Sequence, residues 1–143
     1  MIDSQILQPV VVLMAWTMLM WVWMYATRIP AMTKAGIDAK NLVGSTPSSL
    51  DDALPDKVQW KAHNYNHLHE APTVFYAAAL LLAMIGQGND MNALLAWIYV
   101  GLRVIHSLVQ ATANRVMVRF VLFALSSLVL MAMILHAGFA VFH

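Results

Sequence analysis

The sequence predicts an all-α fold, an integral membrane four-helix bundle, and three observations carry that prediction. Four apolar runs each come near the length needed to cross a bilayer. Apolar residues make up 61% of the chain and charged residues only 10%, against roughly 25% charged in an average globular protein. Seven of the eight Lys and Arg residues fall on the connections that a four-span map places at one face of the membrane.

The first run, Ile6 to Ala26, has 21 residues broken only by Gln8, Pro9 and Thr17. It spans about 31 Å as a helix, close to the roughly 30 Å of the hydrocarbon layer. Pro9 falls in the first turn, where its missing N–H costs little. Met1 to Gln5 carries Asp3 and no cation, which argues for a retained span rather than a cleaved signal peptide. The predicted helix covers about residues 6–27.

Residues 28–56 read as a long loop, with Gly36, Gly44, Pro47, Pro55 and mixed charges. A second helix is expected over about 57–86. It is polar through Glu70, and its apolar part, Ala71 to Gly86, covers only 16 residues. That is about 24 Å, too short to cross alone, so the span must borrow turns from the polar part. This draws His67 and Glu70 toward the membrane. Gln87-Gly88-Asn89-Asp90 is a turn by composition. Helices are then expected over 91–114 and 116–142, with Asn114-Arg115 between them, and short connections make helices two, three and four antiparallel neighbours. The whole chain, 1–143, forms one domain.

Orientation follows from Arg28, Lys34, Lys40, Lys57, Lys61, Arg115 and Arg119, all on the side of the long loop. The positive-inside rule makes that loop cytoplasmic and both termini non-cytoplasmic. Eight scattered cations form no basic stripe, which argues against nucleic acid as a partner. The absence of cysteine excludes disulfides, thiolate metal sites and a cysteine nucleophile.

The polar residues gather on helix two. His63, Asn66, His67 and Glu70 stand at i, i+3, i+4 and i+7, one stripe of a helix. Arg103 lies near the middle of helix three, with His106 one turn further on. Counted from the cationic side, Glu70 and Arg103 lie at similar depths, roughly 14 and 18 Å of helix rise. An arginine at that depth needs a partner, so a Glu70–Arg103 ion pair reinforced by His106 is expected. Arg115 and Arg119 follow at i and i+4; anchoring at the membrane face accounts for Arg115. A cavity bounded by Arg28, Lys61, Asn66, His67, Glu70 and Arg119 would suit a small zwitterionic peptide, because guanidinium forks bind carboxylates and a carboxylate accepts from an amine.

Lys61-Ala62-His63 with Asn66, Glu70 and Pro72, then Arg103-Val104-Ile105-His106, then Arg115 and Arg119, resembles the MAPEG family over nearly the whole chain. These are membrane-associated proteins in eicosanoid and glutathione metabolism, and the resemblance is to bacterial-type relatives of microsomal glutathione transferases. It implies a homotrimer in a bacterial inner membrane, with glutathione as co-substrate between subunits near the cytoplasmic side. It assigns glutathione contacts to Arg28, Lys61, Asn66, Glu70 and His106, with Gln110 where a glutathione-contacting Tyr is common. Arg119 matches the catalytic arginine that stabilises the glutathione thiolate. The implied function is a transferase or peroxidase directing that thiolate at lipophilic electrophiles from the bilayer. Two departures stand out: Asn66 and Glu70 are four apart where the family usually has three, and Phe120 and Phe123 replace hydroxyl residues of the prostaglandin synthases. Two other readings stay open, a non-catalytic protein that binds lipid or partners, and a metal enzyme using His63, His67 and Glu70.

Overall fold

A computed structural model describes residues 4–38, 40, 44, 50 and 52–142. Five helices form among them: α1 (Leu7–Lys34), α2 (Asp56–His67), α3 (Ala71–Met84), α4 (Asp90–Thr112) and α5 (Val116–Phe142). The part of the 28–56 loop that lies at 39, 41–43, 45–49 and 51 falls outside the described residues.

Two element bounds differ from expectation, each for a local reason. α1 runs past residue 27, through Arg28 and Pro30, to Lys34. It stops where Gly36 takes φ +68°. There Ile37 N–H bonds Met32 O and Gly36 N–H bonds Thr33 O, the paired closure of a Schellman motif. Charge at residue 28 marks the end of the apolar run and not the end of the helix. α3 ends the same way, with Gly86 at φ +75° and Gln87 N–H on Leu82 O.

The expected helix 57–86 is divided. Pro72 sits in the first turn of α3, lacks an N–H and would crowd the carbonyl of Leu68 in a continuous helix. The chain accordingly breaks at residues 68–70, where Glu70 adopts φ −91° and ψ −102°. His69 N–H and Glu70 N–H fall back on Asn66 O and His67 O three residues earlier.

α1, α4 and α5 are long and apolar enough to cross a membrane. α3, with 14 residues, reaches only about 21 Å. Contacts near the N-terminus set the direction of the chain: Ile6 N–H donates to Gly88 O at 2.8 Å, and Ser4 Oγ donates to the same oxygen at 3.2 Å. The start of α1 and the α3–α4 turn therefore share one end of the bundle, and α2 with α3 together return the chain to it. The chain thus runs the length of the bundle four times, and its second traverse is broken between α2 and α3.

α4 packs chiefly on α5, α1 and α2, while α3 packs on α5 and α1. The expected close pairing of α3 with its successor is replaced by contact through long side chains, as where Phe75 stacks on Tyr99 at 4.5 Å. The core joins Leu13, Phe75, Leu82, Tyr99, Val100 and Met133 to small residues Ala79, Ala83, Ala96 and Ala137. Such residues let helices approach closely where lipid offers no hydrophobic drive. Leu, Ile, Val, Met and Phe side chains cover the outside of α1, α4 and α5.

Two outcomes are expected. The chain has no cysteine, so Asp52→Cys and Gln87→Cys, both at exposed positions, report topology directly. They should label from opposite faces of intact vesicles, with Asp52 cytoplasmic; labelling from one face would overturn the pass count. At Gly88 an added Cβ would lie 1.9 Å from Ser4 Oγ and 3.1 Å from Ala83 Cα. Gly88→Ala should therefore lower stability by about 1–3 kcal/mol in detergent unfolding, and Ser4→Ala should return part of that loss.

Candidate functional site

One face of α4 buries polar groups in succession: Asn92, Arg103, His106, Ser107 and Gln110. Burial on this scale demands partners, and the helices around α4 supply several. Ser107 Oγ accepts from Asn64 Nδ2 at 2.7 Å and from Trp16 Nε1 at 3.0 Å. That node ties α1, α2 and α4 together.

Arg103 is 1% exposed. Its Nη2 donates to His67 Nδ1 at 3.0 Å and to His67 O at 3.2 Å. The break after α2 explains the second bond, because the last carbonyls of a helix lack internal donors and a cation there is favoured. The expected Glu70–Arg103 ion pair is corrected by this arrangement. Among the described residues no direct pair forms; His67 stands between the two, its Nε2 3.6 Å from Glu70 Oε2. The Glu70 side chain is 65% exposed, since the break swings it to the rim instead of carrying it inward. The stripe of His63, Asn66, His67 and Glu70 likewise does not face inward as a unit. His63, Asn66 and Glu70 are exposed, and His67 alone turns in.

His67, His106, Val116, Arg119, Phe120 and Phe123 line an open cleft of about 250 Å³. The His67 and His106 rings stack at 5.0 Å with 20° between planes. Phe123 meets His67 edge-on at 6.0 Å. Arg119 enters from the first turn of α5, and its Nη1 donates to Asn114 Oδ1 at 2.6 Å. Asn114 can do this because it closes α4 in the left-handed region, at φ +49°, with its N–H on Val109 O at 2.7 Å. Asparagine tolerates that backbone better than most residues.

The other expected site residues are spread out. Gln110 is buried, with Oε1 lacking a protein partner. Lys61 lies against α1, 5.2 Å from the Trp23 ring, and its Nζ donates to Lys57 O at 2.8 Å. Partial burial, with Lys57 nearby, holds its ammonium below the usual lysine range. Arg28 is half-buried on α1, and Asn66 is exposed on α2. The chain thus brings together His106 and Arg119, with Glu70 at the rim beside His67, and leaves Arg28, Lys61 and Asn66 on other faces. Among the described residues, no three His, Asp or Glu side chains converge to hold a metal. Asn64, Ser107 and Asn114 were not singled out by sequence reasoning. The one signal for Asn64 was its place three residues before His67, on the face of α2 that is buried.

Substitution separates the rim from the interior. Glu70→Gln should change stability by less than about 1 kcal/mol, as for an exposed charge. Asn64→Leu should cost about 1–3 kcal/mol through the broken buried node. Detergent unfolding of the two variants checks this, and an equally large loss in both would restore a structural pairing role for Glu70.

A family model described as the MAPEG family matches residues 6–139. No curated protein and no solved structure matches the chain.

Proposed function

The chain belongs to the MAPEG family, and from that premise we propose that it is a membrane-bound glutathione-dependent transferase, or peroxidase, acting on lipophilic electrophiles. The observation that carries this reading is a guanidinium held by a neighbouring amide in a cleft that it shares with two imidazoles and an apolar wall: Arg119, fixed by Asn114.

The chemistry asked of Arg119 is modest. A free thiol near pKa 8.5 is only a few per cent ionised at neutral pH. Lowering that value by about two units takes roughly 2.7 kcal/mol, and one charged hydrogen bond contributes about 1.5–3 kcal/mol. The thiol proton leaves to water at the open mouth of the cleft. The thiolate sulfur then forms a bond to an electrophilic carbon, whose leaving group or π system takes the displaced electron pair. For a hydroperoxide, the sulfur attacks the terminal oxygen and the O–O bond breaks. The alkoxide takes a proton from water and departs as the alcohol, and the glutathione sulfenic acid left behind is reduced by a second glutathione to the disulfide and water. Phe120, Phe123 and Val116 form the apolar wall, and Met117, Phe120 and Val121 continue it on the exposed side of α5, from which a lipid-soluble substrate would arrive.

A volume of about 250 Å³ falls below the roughly 300–1,000 Å³ of typical ligand pockets. The cleft suits the sulfur end of glutathione and little more. Of the other expected contacts, His106 lines the cleft and Glu70 stands at its rim beside His67, while Arg28, Lys61, Asn66 and Gln110 lie elsewhere on the chain. A homotrimer that sets those residues against the cleft of a neighbouring copy would complete the site, and this is the assembly we favour. The site sits at the cationic end, which the positive-inside rule makes cytoplasmic in a bacterial inner membrane. A second reading, a non-catalytic protein that binds lipid or partners, draws on the buried Asn64–Ser107–Trp16 node, which serves assembly without any ligand.

Arg119→Leu separates the two. It should retain the helical fold, yet the thiolate absorbance of bound glutathione should fall and the apparent thiol pKa should rise toward that of the free tripeptide. Conjugation at neutral pH should drop ten- to a hundredfold, the equivalent of about one to two pKa units, and recover in part at alkaline pH. Arg115→Leu, at an exposed position, is the control and should have a smaller effect. Unchanged conjugation in the Arg119 variant would remove this residue from the chemistry.

A further inference from the structure

The contact between Arg103 and His67 fixes more than the position of the ring. An arginine side chain carries five N–H donors, no acceptor, and keeps its charge. Any atom it bonds must therefore offer a lone pair. Arg103 Nη2 lies 3.0 Å from His67 Nδ1, so that nitrogen carries no proton. A neutral imidazole with a bare Nδ1 has its proton on Nε2. The second bond from the same Nη2, to His67 O at 3.2 Å, anchors the guanidinium beside the ring, and stacking on His106 at 5.0 Å holds the ring's orientation.

The N–H so created has only a loose acceptor. His67 Nε2 lies 3.6 Å from Glu70 Oε2, beyond ordinary hydrogen-bond length, and that carboxylate is mostly exposed. His67 also lines the cleft that holds Arg119. A fixed donor thus stands at the cleft with a carboxylate nearby that an incoming ligand can displace.

We propose that His67 is a second hydrogen-bond donor to the anionic sulfur held by Arg119, and that Arg103 is the positioning residue that keeps the proton on Nε2. The glutathione part of this rests on the function proposed above; the tautomer does not. Glu70 has a matching role. An ammonium group on the incoming peptide attracts its carboxylate, and as Glu70 turns to that cation, the His67 N–H is released to the sulfur. One exchange at the rim thereby couples binding of the cationic end of the ligand to stabilisation of its anionic end.

The test has two arms. Nitrogen-15 spectra of histidine-labelled protein in detergent at about pH 8, without glutathione, should show His67 with Nε2 protonated and Nδ1 bare. The resonance is assigned by its loss in His67→Gln. A proton on Nδ1 would overturn the proposal whatever glutathione does. In the second arm, thiolate absorbance is titrated in wild type, His67→Phe and His67→Gln. Phenylalanine keeps a ring to stack on His106 but neither accepts nor donates. Glutamine can accept from Arg103 through its oxygen and donate through its nitrogen. The thiolate fraction at neutral pH should fall about tenfold in His67→Phe, with glutathione affinity changed by less than about threefold, and should largely return in His67→Gln. Wild-type thiolate in His67→Phe would overturn the donor role and leave the glutathione reading standing. Failure of the wild type itself to form bound thiolate would sink the glutathione reading, and with it the sulfur as acceptor.

Discussion

A guanidinium inside a protein keeps its charge, so a buried arginine must be met by lone pairs wherever the fold places it. Arg103 imposes that demand on the middle of this bundle. A continuous second helix would consume its own carbonyls. The break after His67 leaves its carbonyl only the long bond from Glu70 N–H and turns an imidazole toward α4, and Arg103 bonds both. The break has its own origin, in Pro72 at the start of α3, so two distant sequence features answer one another. The rim position of Glu70, the inward turn of His67 and the stacking on His106 all follow from that junction.

The spans were the most legible part of the chain, because bilayer thickness sets a length that apolar runs reveal. α5 was readable almost to the residue. The division of the second helix was harder to see. Pro72 was visible, but at the start of an apolar run it reads as a first-turn proline, and nothing in the polar segment before it announces a stop. The extension of α1 past Arg28 was missed for a related reason. Composition reports where the hydrocarbon ends, whereas the helix ends at the left-handed Gly36.

The site was legible as a list of residues and less so as a geometry. Depth counting placed Glu70 and Arg103 at the same level, yet depth along an axis does not say which way a side chain turns once the helix between is broken. Arg119 stood out by its resemblance to a family arginine. Asn114, which holds it, did not, because its role depends on a positive φ that no pattern of neighbours declares. Asn64 and Ser107 are ordinary residues in sequence, and only burial against each other and Trp16 makes them a joint.

The fastening of the N-terminal segment to the α3–α4 turn bears on how the chain is assembled. Ser4 and Gly88 are 84 residues apart in sequence, so their bond cannot exist until α2 and α3 have brought the chain back to the end of the bundle where α1 begins. In water, closing so long a loop is slow and entropically costly. Here α1 is itself long and apolar enough to cross a membrane, and within a bilayer the remaining search is lateral, in two dimensions. The contact thus acts as a closing latch: it can form only once the turn before α4 has come to meet the start of α1.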